Sequence, residues 1–289
     1  MEIVKKAYAK VNLALNITGR NGELHTLDMI MTNIDLADTV TLIKRTGDKF
    51  TVKYSNKDVV VGKDTVSKAI EFFSKEFIDN TTIGIDVTVQ KNIPVAAGLG
   101  GSGVDAAAVL LALCEIYAIH VNNIKIYKKI EQIAKQIGSD VLYQLKGGFA
   151  RVEGVGDKIT HFKSCRTLYM VVAMGQNGVL SSDSYAAFDK MYAGKQKLVT
   201  DIDEVIKMLT QNGPINYNLF ANALTKPSIF LNKTIIDTLE SLREVGAINA
   251  VMTGSGAACI GFFETKEKAQ TAADKLKKVC AFSMACSTV

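Results

Sequence analysis

The chain has 289 residues, which allows one large domain or two ordinary ones. Apolar residues make up 48% of it and charged residues 22%, so it can bury a core and is not of the disordered class. The net charge of +5 is modest. Without interleaved basic and aromatic residues it argues against nucleic acid and suits small polyanions. No apolar run reaches the roughly 18 residues that would cross a bilayer. Met1–Lys6 lacks the apolar segment of a signal peptide, so a cytoplasmic location is expected. Cys114, Cys165, Cys259, Cys280 and Cys286 are scattered, with no C-x-x-C pair. That pattern predicts reduced thiols, not a disulfide framework or a zinc site.

Residues 3–18 and 30–54 are apolar or alternating and rich in β-branched side chains, which predicts strands. A helix is predicted over 65–78 and a strictly alternating strand over 82–90. A glycine-rich loop follows, then an alanine-rich helix ending near Ala118. Ile126, Ile130, Ile133 and Ile137 recur at helical spacing and predict a second helix, closed by Gly138. Lys125, Lys128, Lys129 and Lys135 form its solvated face. A second half begins near Gly156. It has predicted strands around 168–174, 248–252, 257–263 and 280–287, and helices around 182–193, 199–211, 232–245 and 265–278. The sequence contains no repeat and no proline-rich linker.

The segment richest in information is Pro94-Val95-Ala96-Ala97-Gly98-Leu99-Gly100-Gly101-Ser102-Gly103-Val104-Asp105. Glycine lets a backbone close on a phosphate, and the first N–H groups of the following helix have no intrahelical partner. Together they make an anion site. Ser102 and Asp105 also have the spacing of a capping box, which would serve a purely structural helix start. The ATPase P-loop is excluded, because Val104-Asp105 stands where Lys-Ser or Lys-Thr is required. Gly98, Gly100 and Gly103 satisfy G-x-G-x-x-G, but a dinucleotide fold needs a parallel strand after the helix. The isoleucine spacing predicts a helix there instead, so an oxidoreductase is disfavoured.

The loop resembles the ATP loop of the galactokinase, homoserine kinase, mevalonate kinase and phosphomevalonate kinase superfamily, the GHMP kinases. Other segments extend the resemblance to the family of 4-diphosphocytidyl-2-C-methylerythritol kinases. They are Ala7-Tyr8-Ala9-Lys10-Val11-Asn12-Leu13, His25 in Gly22-Glu23-Leu24-His25, and Met29–Asp38. Further along come Ile137-Gly138-Ser139-Asp140-Val141, Gly147-Gly148, Glu153-Gly154-Val155-Gly156-Asp157, and Met252-Thr253-Gly254-Ser255-Gly256. The order and spacing are those of the family across almost the full length.

That resemblance implies an α+β, two-domain fold with the active site in the cleft between the domains: an ATP-binding domain over 1–155 and a C-terminal domain over 156–289. It implies transfer of a phosphoryl group from ATP, carried with Mg2+, to a hydroxyl of 4-diphosphocytidyl-2-C-methylerythritol, by a monomer or homodimer. Lys10 and Asp140 take the family's catalytic positions: Lys10 to polarise the hydroxyl, Asp140 to accept its proton or to orient Lys10. Asp64, Lys91, Pro94, Ala96, Ala97, Gly98, Leu99, Gly100, Gly101, Ser102, Gly103 and Asp105 would hold the nucleotide. Asn12, His25, Tyr185, Thr253 and Gly254 would hold the substrate. Two departures keep other readings open. Gly103-Val104 replaces the family's serine pair, removing a hydroxyl available to a phosphate, as in a non-catalytic paralogue. Leu24 replaces a tyrosine expected to stack on cytosine, as in a kinase for a mevalonate-like or homoserine-like alcohol.

Overall fold

The computed structural model describes residues 1–55, 64–78 and 83–289. Two long strands open the chain, β1 (Glu2–Asn21) and β2 (Leu24–Lys44), and they pair with each other. Both contribute to two compact units. The first unit comprises Met1–Ala9, Ala37–Ile93 and Gly100–Gly147. The second comprises Lys10–Leu36, Pro94–Leu99 and Gly148–Val289.

In the first unit the end of β2 pairs antiparallel with β4 (Ile85–Gln90), which pairs parallel with β3 (Phe50–Tyr54). The predicted 30–54 strand is therefore two strands, with a turn at 45–49. In β4, Ile85, Val87 and Val89 are buried, as strict alternation requires. Residue 82, the start of the predicted strand, lies outside the described residues. Four helices follow this sheet in or between its segments: α1 (Thr65–Phe77), α2 (Gly101–Ile116), α3 (Ile124–Ile137) and α4 (Ser139–Gln144). α2 is apolar on every side, the mark of a helix surrounded by protein. Ala106, Ala107, Ala108 and Ala112 are all buried and let its neighbours approach. The α3 lysines 125, 128, 129 and 135 are exposed, as expected. A helix, not a strand, follows α2, which removes the dinucleotide fold.

The predicted capping box does not form. The N-cap of α2 is Gly100, at φ 71°, and no side chain caps the helix. Asp105 instead turns to Lys91. A buried ammonium competes successfully for the carboxylate that a backbone N–H would otherwise take.

In the second unit β2 pairs with β5 (Ala150–Gly154), and β5 with β6 (Lys158–His161), all antiparallel. A separate antiparallel sheet has the order β10–β7–β9–β8, from β7 (Tyr169–Met174), β8 (Ala250–Met252), β9 (Cys259–Phe263) and β10 (Phe282–Ser287). Helices α5 (Ser181–Tyr192), α6 (Ile202–Thr210), α7 (Thr225–Leu231), α8 (Thr234–Glu244) and α9 (Lys266–Leu276) complete it. Among the described residues all five cysteines are free, and burial pushes the Cys114 thiol up to about 12.

Candidate active site

The glycine loop is held by the second unit as far as Leu99. Ala97 O accepts from Ala258 N (3.1 Å), Ala96 O from Val179 N (3.2 Å), and Leu99 O from Lys10 N (3.1 Å). Ala96, Gly98 and Gly100 all have positive φ, at 53°, 76° and 71°. Gly98 is also a contact glycine: a Cβ there would lie 2.5 Å from Thr253 O. From Gly100 onward the chain enters the first unit and opens α2, whose first turn carries no side-chain cap. Free N–H groups at a helix start, preceded by left-handed backbone, form the kind of concavity that takes anions. These residues therefore fit a nucleotide triphosphate.

In the second unit Lys10 is 6% exposed, and its Nζ donates to Asn12 Oδ1 at 2.8 Å. Asn12 N donates to Thr253 Oγ1 (2.8 Å), and Asn12 Nδ2 to the Met29 sulfur (3.1 Å). Every polar group of Asn12 named here is used in aiming one side chain, the lysine. Thr253 is fully buried and begins the turn through Gly254 (φ 57°) that packs on Gly98. Asn222 holds that turn through Met252 O (2.9 Å) and Gly254 O (2.8 Å). In the first unit Asp140 lies in the first turn of α4, after the extended Gly138. It packs on α2 at Gly103, where an added Cβ would come within 2.9 Å of Asp140 Cβ. That contact leaves no room for a side chain at Gly103.

A third cluster, again in the second unit, joins two predicted residues. The rings of His25 and Tyr185 stack, with centroids 4.8 Å apart and planes at 21°. Phe188 meets His25 edge-on at 5.7 Å. Asp189 Oδ1 is 2.8 Å from His25 Nε2, and its other oxygen takes the Arg20 guanidinium. Leu24 stands beside this cluster in sequence and is 60% exposed.

Comparison with known proteins assigns the family. The GHMP kinases N terminal domain matches residues 64–148, and the GHMP kinases C terminal domain residues 190–281. A 4-diphosphocytidyl-2-C-methyl-D-erythritol kinase of Clostridium tetani is 34% identical over 278 residues, covering 94% of this chain and 95% of the relative. The chain belongs to the GHMP kinases. A Clostridium beijerinckii protein of the same description is 31% identical, covering 94% of this chain and 95% of its own. Among solved structures, a 4-(cytidine 5'-diphospho)-2C-methyl-D-erythritol kinase superposes with a TM-score of 0.80 at 23% identity, covering 99% of both chains. The Methanococcus jannaschii mevalonate kinase gives 0.69 at 17% identity, covering 100% of this chain and 98% of its own. These two structures speak for the α+β GHMP kinase fold.

Within this GHMP kinase, Asp64, Ser102, Lys91 and Asp105, four of the other predicted nucleotide residues, have structural partners. Asp64 is the N-cap of α1: Oδ1 accepts from Ser67 N (2.9 Å) and Tyr54 OH (2.6 Å), and Oδ2 from Ser67 Oγ (2.8 Å). Burial and the Asp64 carboxylate push the Tyr54 phenol above its ordinary range. Thr65 Oγ1 donates to Ser102 O at 2.6 Å, tying α1 to the start of α2. Lys91 bridges Asp38 and Asp105. Asp38 and Asp189 were not singled out from sequence. Asp38 could have been: Ile34, Leu36, Val40 and Leu42 are buried at the same parity, so an acid in that row is a buried charge. Asp189 is four residues after Tyr185, the spacing at which helix side chains meet.

Proposed function

We propose that this chain phosphorylates a hydroxyl of 4-diphosphocytidyl-2-C-methylerythritol, with ATP as donor. The observation that carries the reading is the 34% identity across 94% of the chain to a kinase named for that substrate. The glycine loop and the first turn of α2 would hold the triphosphate. Mg2+ would come with ATP as the nucleotide complex. When bound, the nucleotide complex supplies the γ-phosphoryl group and neutralises part of its charge. Lys10, oriented by Asn12, polarises the acceptor hydroxyl. Asp140 accepts the hydroxyl proton, and ADP and a phosphate monoester leave. His25, fixed by Asp189 and backed by Tyr185, receives the cytosine.

The test is phosphorus NMR of the purified chain with ATP, Mg2+ and the cytidyl substrate. A new phosphomonoester signal matched by ADP supports the reading; no turnover at any substrate concentration overturns the substrate. A second reading is favoured by the exposed Leu24: a GHMP kinase for an alcohol without a nucleobase. Mevalonate or homoserine in the same assay would then yield the monoester.

A further inference from the structure

In the first unit one ammonium serves two buried acids. The side chains of Lys91, Asp38 and Asp105 are 7%, 0% and 2% exposed. Lys91 Nζ is 2.6 Å from Asp105 Oδ2, hydrogen-bonded to Asp38 Oδ2, and 3.5 Å from Gly101 O in the first turn of α2. With both acids ionised the cluster carries one uncompensated negative charge away from water, which is costly enough that such a group takes a proton. The hydrogen bonds say which acid takes it. Asp38 collects three donors: the lysine, Asn92 N (2.5 Å) and Ile93 N (2.8 Å). Asp105 has the lysine as its one donor, and its Oδ1 is buried with no partner among the described residues; a proton on it can be shared with the neighbouring Asp38.

We propose that Asp105 seats a proton that nucleotide binding takes up, so that this cluster sets the pH dependence of ATP affinity. The proposal rests on the ATP reading above. A triphosphate at the start of α2 adds negative charge about one turn from Asp105 and favours its neutral form further. Burial already pushes the Asp105 carboxyl up to about 7, with Lys91 opposing and Asp38 adding to the shift. The other group that senses it is the Tyr54 phenol on β3, itself bonded to Asp64. Lys68, Glu71, Lys75 and Glu76 of α1 are exposed to solvent. Asp140 of α4 packs at Gly103, two residues and therefore about 200° around α2 from Asp105.

The experiment is calorimetric titration of the full chain with Mg2+ and ATP, without acceptor, at about pH 8 in buffers of different ionisation enthalpy. Expected is uptake of about half a proton or more per nucleotide, with affinity falling toward about tenfold per pH unit above neutrality. Asp105→Asn, which imitates the neutral acid, abolishes the uptake and flattens the slope. Asp38→Asn, which leaves one acid per ammonium, also diminishes it. ATP binding without proton uptake, or uptake that persists in both variants, overturns the proposal alone. Failure of ATP to bind at all overturns it together with the ATP reading. Thermal unfolding of the ligand-free chain is an independent measure. An acid whose folded form holds its proton more tightly stabilises the fold below its unfolded titration. That stability is lost as pH rises from about 4 to about 7. Wild type should therefore lose Tm relative to Asp105→Asn over that window; parallel curves would count against the proposal.

Discussion

Lys10 and Asp140 each sit where a side chain has little freedom. The lysine is buried with its ammonium on a neutral amide, and a desolvated cation held that way is poised for a negatively charging oxygen. Asp140 is fixed by a helix start against a glycine. Lys10→Met and Asp140→Asn should each lower kcat by about 10²–10⁴-fold. ATP affinity, measured by calorimetry, should stay near wild type. Near-normal turnover in either variant would remove that residue from the acceptor chemistry. Leu24 offers a gain-of-function test. Its side chain is 60% exposed, so a larger ring costs the fold little. Base–aromatic stacking contributes about 1–3 kcal/mol. Leu24→Tyr should accordingly lower KM for the cytidyl substrate by about tenfold. No change in KM would mean that His25 and Tyr185 already fill the stacking role.

The glycine loop shows how an element can be specified by what its residues lack. A Cβ at Gly98 would meet Thr253 O at 2.5 Å, in a backbone at φ 76° that L residues avoid. Gly98→Ala should cost about 1–3 kcal/mol from the backbone alone, read as a lower Tm. At Gly100, φ 71° places a β-branched side chain in a still less favourable conformation. Gly100→Val should abolish nucleotide protection in a chain that still folds, and unchanged ATP affinity would refute the loop's role. The loop, α2, α3 and most strands are legible in the sequence because each has a strong period or a run of glycines. Others are not. α4 is six residues directly after the glycine that closes α3, too short to show a period. β5 and β6 are short, with Arg151, Glu153 and Lys158 among their residues, and they flank the glycine-bearing segment Glu153–Asp157, so neither shows a period of its own. α7 carries Pro227 in its first turn, where a missing N–H is harmless but a helix is hard to foresee. The site divides in the same way. The residues proposed for the site stand in motifs, whereas Asp189 stands in none and Asp38 ends the Met29–Asp38 segment without a chemical signal of its own.

The two units are not two consecutive lengths of chain. The second draws on residues 10–36 and 94–99 as well as 148–289. Within it, Leu15 bridges to Asn222, Ile17 to Lys197, and β2 carries β5. A fragment of residues 156–289 lacks these strands and should not fold alone; circular dichroism of the isolated fragment checks this. Adding residues 10–36 as a separate peptide should restore structure in part. The same interleaving has a consequence for birth on the ribosome. The Asn12 N–H reaches its threonine partner 241 positions later. Asp35 waits for Ser287, and Asn33 for Val289. At about 5–20 residues per second, translation separates Asn12 from Thr253 by roughly 12–48 s. For most of that interval, until residues 197–223 are made, the nascent strand bearing Val11, Leu13 and Leu15, all destined for the core, lacks its partners from the chain's last third. Part of the earliest-made apolar surface is thus covered late, and shielding of the nascent strand by a holdase chaperone should raise the yield of folded chain during synthesis.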